Sequence, residues 1–180
     1  MTRLQPVITE TADADTQTLL NNVKKKLGMV PNMVSTMAQS LPVANGYLAF
    51  SEALSKSSLR PKLREQISIT VGATNGCDYC LAAHSAIGKA VGLSDCEVVD
   101  AQSARSTDSK SEVALKFARS VADNRGGVPD EEFDKMRTAG YSDAEIADVI
   151  GLVALNTFTN IFNRAAKTEI DFPAVPEVAC

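Results

Sequence analysis

Apolar residues recur at helical spacing in one segment of the sequence after another, and this feature most constrains the fold. In the first such segment, 16–27, Leu19, Val23 and Leu27 lie on one helical face, and Gly28 follows as a typical stop. Comparable stripes predict further helices at 31–37, 41–56, 77–91, 94–103, 109–123, 129–138 and 142–167. The pattern predicts an all-α fold.

The segment 60–75 fits two kinds of secondary structure. Ile67, Ile69 and Val71 alternate with polar residues, as in a strand. Leu63, Ile67, Val71 and Thr74 also share one helical face. Since no other segment offers a partner strand, we predict a helix.

The size and charge of the chain indicate a single globular domain over residues 1–180 and argue against nucleic acid as a partner. Hydrophobic residues make up 44% and charged residues 22% of the chain, as is usual for globular proteins. The net charge is −4 and the pI about 5.1, without a long basic run. The basic cluster 24–26 lies at a predicted helix end, where cations are favourable.

Neither a signal peptide nor a membrane span is expected. The N-terminal residues lack the apolar core of a signal peptide. The most apolar segment, 146–162, is interrupted by Asp148, Asn156 and Asn160, and therefore indicates a buried helix. We expect a cytoplasmic protein. In that reducing compartment a C-x-x-C pair is more often catalytic or metal-binding than structural.

Cys77, Cys80 and the single histidine of the chain, His84, form the most informative cluster. On a helix with ~100° and ~1.5 Å per residue the three share one face, and His84 is a neighbour of Cys80. A neighbouring base favours the thiolate of Cys80, whereas the helix N-terminus favours that of Cys77. Helical geometry therefore leaves both cysteines open as the nucleophile.

Three other interpretations of this cluster are weaker. Haem attachment needs a histidine directly after the second cysteine, where Leu81 stands. A structural zinc site needs four ligands, and the remaining Cys96 and Cys180 have no histidine near them. A buried structural pair is the third interpretation. We therefore expect thiol-redox chemistry without a metal or a cofactor.

The segment 64–84 resembles the alkylhydroperoxidase D-like proteins of the carboxymuconolactone decarboxylase superfamily. In that group a glutamate stands twelve residues before a C-x-x-C that is followed by x-x-x-His, and Glu65, Cys77, Cys80 and His84 match this spacing. The segment from residue 28 through Tyr47 is similar to the peroxidase-related subgroup. A long last helix with Asn156, Asn160 and Asn163 also fits.

The resemblance implies an all-α fold that assembles into homo-oligomers, usually trimers or hexamers. It implies that Cys80 is the peroxidatic thiolate that attacks a hydroperoxide, and that Cys77 resolves the sulfenic acid as a disulfide. His84 and Glu65 would form a proton relay. The implied partners are the hydroperoxide and an external thiol reductant or reductase protein.

Tyr79 departs from the pattern of the founding peroxidases, which carry a second histidine at this position. A tyrosine hydroxyl is a poor proton acceptor near neutral pH, since its usual pKa is about 10. Tyr79 is therefore only an auxiliary candidate. Two alternatives remain: a decarboxylase-type lyase of the same superfamily and a non-catalytic oligomeric redox sensor.

Overall fold

The computed structural model describes residues 2–176 and 178, and within them it contains helices and no strand. A short 3₁₀ turn, Thr9–Thr11, comes first. The helices are α1 Ala14–Leu27, α2 Asn32–Met37, α3 Leu41–Ser55, α4 Pro61–Thr74, α5 Asp78–Ala90, α6 Asp95–Gln102, α7 Ser109–Asp123, α8 Asp130–Thr138 and α9 Asp143–Ala166. The predicted all-α fold is confirmed.

Local capping explains where several helices begin and end. Asp13 caps α1 by accepting hydrogen bonds from the backbone N–H groups of Asp15 and Thr16, so α1 begins two residues before the predicted start. Gly28 ends this helix in the left-handed conformation, with φ of 80°. Ser94 and Ser142 form capping boxes at the starts of α6 and α9.

The central element is α4, the helix whose sequence also resembled a strand. It packs against α5, α6, α7 and α9. Ile67 and Val71 lie on one face of the helix and Ile69 lies on the opposite side, yet all three are fully buried. Because α4 is covered on most of its sides, its apolar residues do not form the single stripe of a surface helix.

Two groups of buried residues make up the core. The larger group joins α4 to α6, α7, α8 and α9. The smaller group joins α1, α2 and the start of α3 to α5, and includes Cys77, Tyr79 and Cys80. The cysteine pair therefore lies inside the packed core, at the N-terminus of α5.

The last helix, α9, is long and apolar enough to cross a membrane by length and composition. Its buried residues pack against other helices of the fold. They include a polar row of Asn156, Thr159, Asn160 and Asn163. This polar row distinguishes α9 from an ordinary apolar core helix, and it brings amide groups toward α4 and α5.

Candidate active site

Cys77 and Cys80 are joined in a disulfide at the start of α5, with their Cα atoms 5.3 Å apart. Cys77 is the N-cap residue, and its Sγ accepts a hydrogen bond from the Cys80 backbone N–H at 3.3 Å. The two residues are 1% and 3% exposed. In the reduced state the helix N-terminus would favour a negative charge on sulfur at this place.

The turn before the cysteines is held against α9. Gly76 has φ of 62°, a conformation that suits glycine and reverses the chain between α4 and α5. Arg164 donates a hydrogen bond to the Asn75 carbonyl at 2.7 Å, and the Asn75 amide donates to Oδ1 of Asn160 at 2.8 Å. These contacts fix where α5 begins, and so fix the position of Cys77.

Glu65 on α4 and His84 on α5 form a hydrogen-bonded pair, with Oε2 and Nδ1 2.8 Å apart. An ionised carboxylate only accepts hydrogen bonds, so Nδ1 carries the proton in this pair. In the neutral ring the other nitrogen, Nε2, is then the basic one. The pair has the base-and-orienting-group arrangement found in enzymes that activate a nucleophile.

A pocket of about 410 Å³ lies beside this pair, and Cys80, His84 and Glu65 all line it. Of the two cysteines, Cys80 faces this space. About half of the residues that line it are apolar: Val23, Leu27, Met29, Pro31, Met33, Val34, Leu48, Leu54, Ala83, Ile87, Leu152, Leu155 and Phe172. A cavity that combines apolar surface with convergent polar groups is typical of a site for a small organic molecule.

Tyr79, the auxiliary candidate, is 5% exposed and also lines the pocket. Its hydroxyl accepts a hydrogen bond from the Met33 backbone N–H at 3.1 Å, and its ring meets Phe172 edge-on at 5.8 Å. Burial raises the pKa of Tyr79 well above its usual value, and the Asp171 carboxylate raises it further. Near neutral pH, Tyr79 is therefore an uncharged hydrogen-bonding group.

Residues 42–124, which include the four candidates Glu65, Cys77, Cys80 and His84, match the sequence model of the Carboxymuconolactone decarboxylase family. This match covers 83 of the 180 residues, and over that part the chain is similar to the family. None of the curated protein sequences matches the chain.

Three solved structures illustrate the shared alkylhydroperoxidase D-like fold. A peroxidase-related protein from Ralstonia eutropha JMP134, described as an alkylhydroperoxidase AhpD core, has 23% identity and a TM-score of 0.84, over 94% of this chain and 92% of its own. A peroxidase-related protein from Silicibacter sp. TM1040 has 24% identity and a TM-score of 0.80, over 92% and 91%. A cysteine-to-alanine variant of the debrominase Bmp8, in complex with 2,3,4-tribromopyrrole, has 20% identity and a TM-score of 0.81, over 95% and 92%.

The alkylhydroperoxidase D-like fold brings two further residues to the site that sequence reasoning did not place there. Asn163 of α9 donates through Nδ2 to Sγ of Cys80 at 3.4 Å and to Sδ of Met33 at 3.1 Å. Phe172 covers Tyr79 from the C-terminal segment. The asparagines in an otherwise apolar helix were a signal for Asn163, whereas no sequence signal pointed to Phe172.

The remaining cysteines lie elsewhere in the chain. Cys96 is in α6 and is not among the residues that line the pocket, and Cys180 lies outside the described residues. Within residues 2–176 and 178, no group of three or more His, Cys, Asp or Glu side chains is placed to hold a metal ion.

Proposed function

We propose that the protein is a thiol-dependent peroxidase that reduces alkyl hydroperoxides or hydrogen peroxide through a Cys77–Cys80 disulfide. One observation carries the proposal. Cys80, already paired with Cys77, faces a pocket that it shares with the Glu65–His84 pair. A nucleophile, a second thiol and an oriented base beside one cavity are the parts that this chemistry needs.

The proposed reaction has two steps on the enzyme. The Cys80 thiolate attacks the terminal oxygen of the hydroperoxide, the O–O bond breaks, and Cys80 becomes a sulfenic acid while the alkoxide takes a proton and leaves as alcohol. The Cys77 thiol then displaces water from the sulfenic acid and forms the disulfide. An external thiol reductant supplies two electrons and two protons to restore both thiols.

Burial and position support separate roles for the two cysteines. Cys80 faces the pocket and receives the substrate, whereas Cys77 lies behind it as the N-cap. In this scheme His84 takes the proton of the Cys80 thiol and later protonates the alkoxide. Glu65 holds the ring with Nε2 basic and stabilises the charged imidazolium that forms.

The surroundings of the reaction are part of the same proposal. The electron donor is an external dithiol or a reductase protein, and the protein works in the cytoplasm as a homo-oligomer, a trimer or a hexamer. Exposed apolar side chains on α9, such as Phe158 and Ile161, are compatible with contact between subunits.

The test starts from fully reduced protein mixed with one equivalent of cumene hydroperoxide. Peptide mass spectrometry should show a rapid loss of two hydrogens that maps to Cys77–Cys80. Cys80→Ser should abolish peroxide consumption, Cys77→Ser should leave a sulfenic acid on Cys80 that a dimedone reagent traps, and the control Cys96→Ser should still form the disulfide. Full peroxide consumption by Cys80→Ser would show that the assignment is wrong.

Two further assays separate the superfamily alternatives. A redox sensor reacts once and is re-reduced slowly, whereas the peroxidase consumes many equivalents when a dithiol is added. A decarboxylase-type lyase keeps its activity in the double variant Cys77→Ser/Cys80→Ser, whereas the peroxidase loses it.

Reductive debromination is a second candidate function, because the fold is shared with the debrominase Bmp8 and the pocket beside Cys80 has room for a halogenated ring. In that reaction the Cys80 thiolate and the Cys77 thiol provide two electrons and one proton. One C–Br bond of the substrate becomes a C–H bond, bromide leaves, and the cysteines become the disulfide. Release of bromide from 2,3,4-tribromopyrrole by reduced protein, faster than its reaction with cumene hydroperoxide, would favour this function.

A further inference from the structure

We propose that Asn163 is a catalytic residue of this site: its amide N–H stabilises the Cys80 thiolate, and its carbonyl oxygen accepts the O–H of the hydroperoxide. The second half of the proposal rests on the peroxidase function proposed above, whereas the first half concerns the cysteine alone. Asn163 lies 83 positions from Cys80 in the sequence and reaches it from α9.

The contacts of the Asn163 side chain are unusual for a buried amide. Its Nδ2 donates to two sulfur atoms, Sγ of Cys80 and Sδ of Met33. Sulfur in a disulfide or a thioether is a weak acceptor, so these hydrogen bonds compensate poorly for removing the amide from water. A thiolate is a much better acceptor, since hydrogen bonds to charged groups are roughly twice as strong. The amide is thus placed to favour the reduced, ionised state of Cys80.

The other end of the same amide has a free hydrogen-bonding position. Asn163 is 3% exposed and lines the pocket, and its Oδ1 is buried without a hydrogen-bond partner among the described residues. A buried carbonyl that lacks a donor is costly. A hydroperoxide is a suitable ligand, because its O–H donates to Oδ1 while the same oxygen faces the thiolate.

This arrangement agrees with the path of the hydroperoxide hydrogen in the proposed reaction. The oxygen attacked by Cys80 keeps its hydrogen when the O–O bond breaks and becomes the hydroxyl of the sulfenic acid. Oδ1 of Asn163 can accept from this O–H before and after the transfer. The amide therefore holds the terminal oxygen beside sulfur without gaining or losing a proton itself.

The first experiment measures the pKa of the Cys80 thiol in reduced protein, from the pH dependence of its alkylation by iodoacetamide followed on the Cys80 peptide. Asn163→Leu removes the donor and should raise that pKa by about one unit, which lowers alkylation about tenfold below the pKa. Asn163→Asp keeps the shape but brings a carboxylate to the thiolate, and should raise the pKa further.

The matched control is Val153→Ala. Val153 is buried on the same helix, belongs to the larger core group and does not line the pocket. It should lose stability but keep the wild-type Cys80 pKa. The other ionisable groups that line the pocket or lie against its residues are unchanged in every variant: Lys26, Tyr47, Glu52, Arg64, Glu65, Cys77, Tyr79, His84 and Asp171. Equal Cys80 pKa values in the wild type and both Asn163 variants would overturn the proposal that Asn163 stabilises the thiolate.

The second experiment isolates the carbonyl oxygen by working at a pH where Cys80 is fully ionised in every variant. There Asn163→Leu should react with iodoacetamide at the wild-type rate but with cumene hydroperoxide about tenfold more slowly, as expected for one lost hydrogen bond. An equal effect on both reagents would overturn the role of Oδ1. If the wild type itself fails to react with cumene hydroperoxide, the proposed peroxidase function is wrong. The Cys80 pKa measured by alkylation still tests whether Asn163 stabilises the thiolate.

A measurement on wild-type protein covers the case in which the variants do not fold. With ¹⁵N-labelled asparagine, the side-chain amide resonances of Asn163 should shift when the disulfide is reduced and titrate with the same midpoint as Cys80 alkylation. Resonances that do not titrate with Cys80 would contradict the proposal.

Discussion

The carboxylate of Glu65 and Nδ1 of His84 lie 2.8 Å apart although 19 positions separate them in the sequence. The contact depends on a close approach of α4 and α5. A Cβ atom on Gly88, one turn after His84, would lie 3.6 Å from Cβ of Glu65 and 2.7 Å from Cδ1 of Leu93. Glycine at this position therefore lets the helix that carries His84 lie against the helix that carries Glu65.

Glu65→Gln should slow the oxidation of Cys80 by about tenfold to a hundredfold. The amide of glutamine can donate to Nδ1 and so favour the ring form in which Nε2 carries the proton, which is the wrong form for a base. Single-turnover disulfide formation with cumene hydroperoxide measures the effect. The control Glu131→Gln, in an exposed pair with Lys135 on α8, should react at the wild-type rate. Equal rates in Glu65→Gln and wild type would exclude the relay.

His84→Ala should slow the same step by about a hundredfold, because it removes the group that takes the proton of the Cys80 thiol. Added imidazole should restore part of the rate, since the vacated space beside the pocket admits a free base. The rate is measured between about pH 6 and about pH 8, the range in which histidine bases act. A variant that matches the wild type throughout this range would remove His84 from the mechanism.

The sequence predicted the helices well where their signals are local. Glycine stops and serine caps depend on a few neighbouring residues, as at Gly28, Ser94 and Ser142. The start of α1 was missed because its signal is the side-chain cap of Asp13 rather than an apolar stripe. Four other helices cover α4, so apolar residues occur on most of its faces. Its sequence pattern alone was therefore ambiguous between a helix and a strand.

The residues of the candidate site likewise divide into those that local spacing predicts and those that only the folded chain brings together. Cys77, Cys80 and His84 belong to one helix end, so their spacing alone indicates that they share a face. Glu65 came from the family resemblance, because its contact with His84 is made between two helices. Asn163 and Phe172 reach the pocket from distant parts of the chain, and no local rule links them to Cys80.

Tyr79→Phe should lower the free energy of unfolding at neutral pH by about 1–2 kcal/mol, because the buried Met33 N–H loses its acceptor. The substitution should also reduce the amount by which the free energy of unfolding decreases at alkaline pH. Since the folded-state pKa of Tyr79 is raised by burial, the folded protein keeps a proton that the unfolded chain releases above about pH 10. Wild-type stability therefore falls as the pH rises past that value.

Urea unfolding at about pH 7 and at about pH 11, followed by circular dichroism, checks this prediction. Tyr141→Phe is the control, since burial raises the pKa of Tyr141 to about 12 at a position away from the cysteines. Both variants should show a smaller difference between the two pH values than the wild type. A difference as large as the wild-type value in Tyr79→Phe would contradict the buried, neutral state of this tyrosine.

Phe172→Ala should open the pocket to larger reagents. The segment that carries Phe172 is held to the start of α2, where Asp171 accepts from the Asn32 N–H at 2.7 Å and the Asn32 side chain donates to the Glu169 carbonyl at 3.1 Å. The ring covers Tyr79 at the pocket wall. Because Cys80 is only 3% exposed, a bulky reagent depends on this cover moving aside.

The measurement compares a bulky maleimide with the small reagent iodoacetamide on reduced protein, each followed on the Cys80 peptide. Phe172→Ala should accelerate the maleimide several-fold and iodoacetamide much less, since only the larger molecule is limited by the width of the opening. The control Phe158→Ala removes a partly exposed ring on α9 outside the pocket, and should leave both rates unchanged. If both reagents react faster by the same factor in Phe172→Ala, the ring acts on the stability of the whole site rather than on access to it.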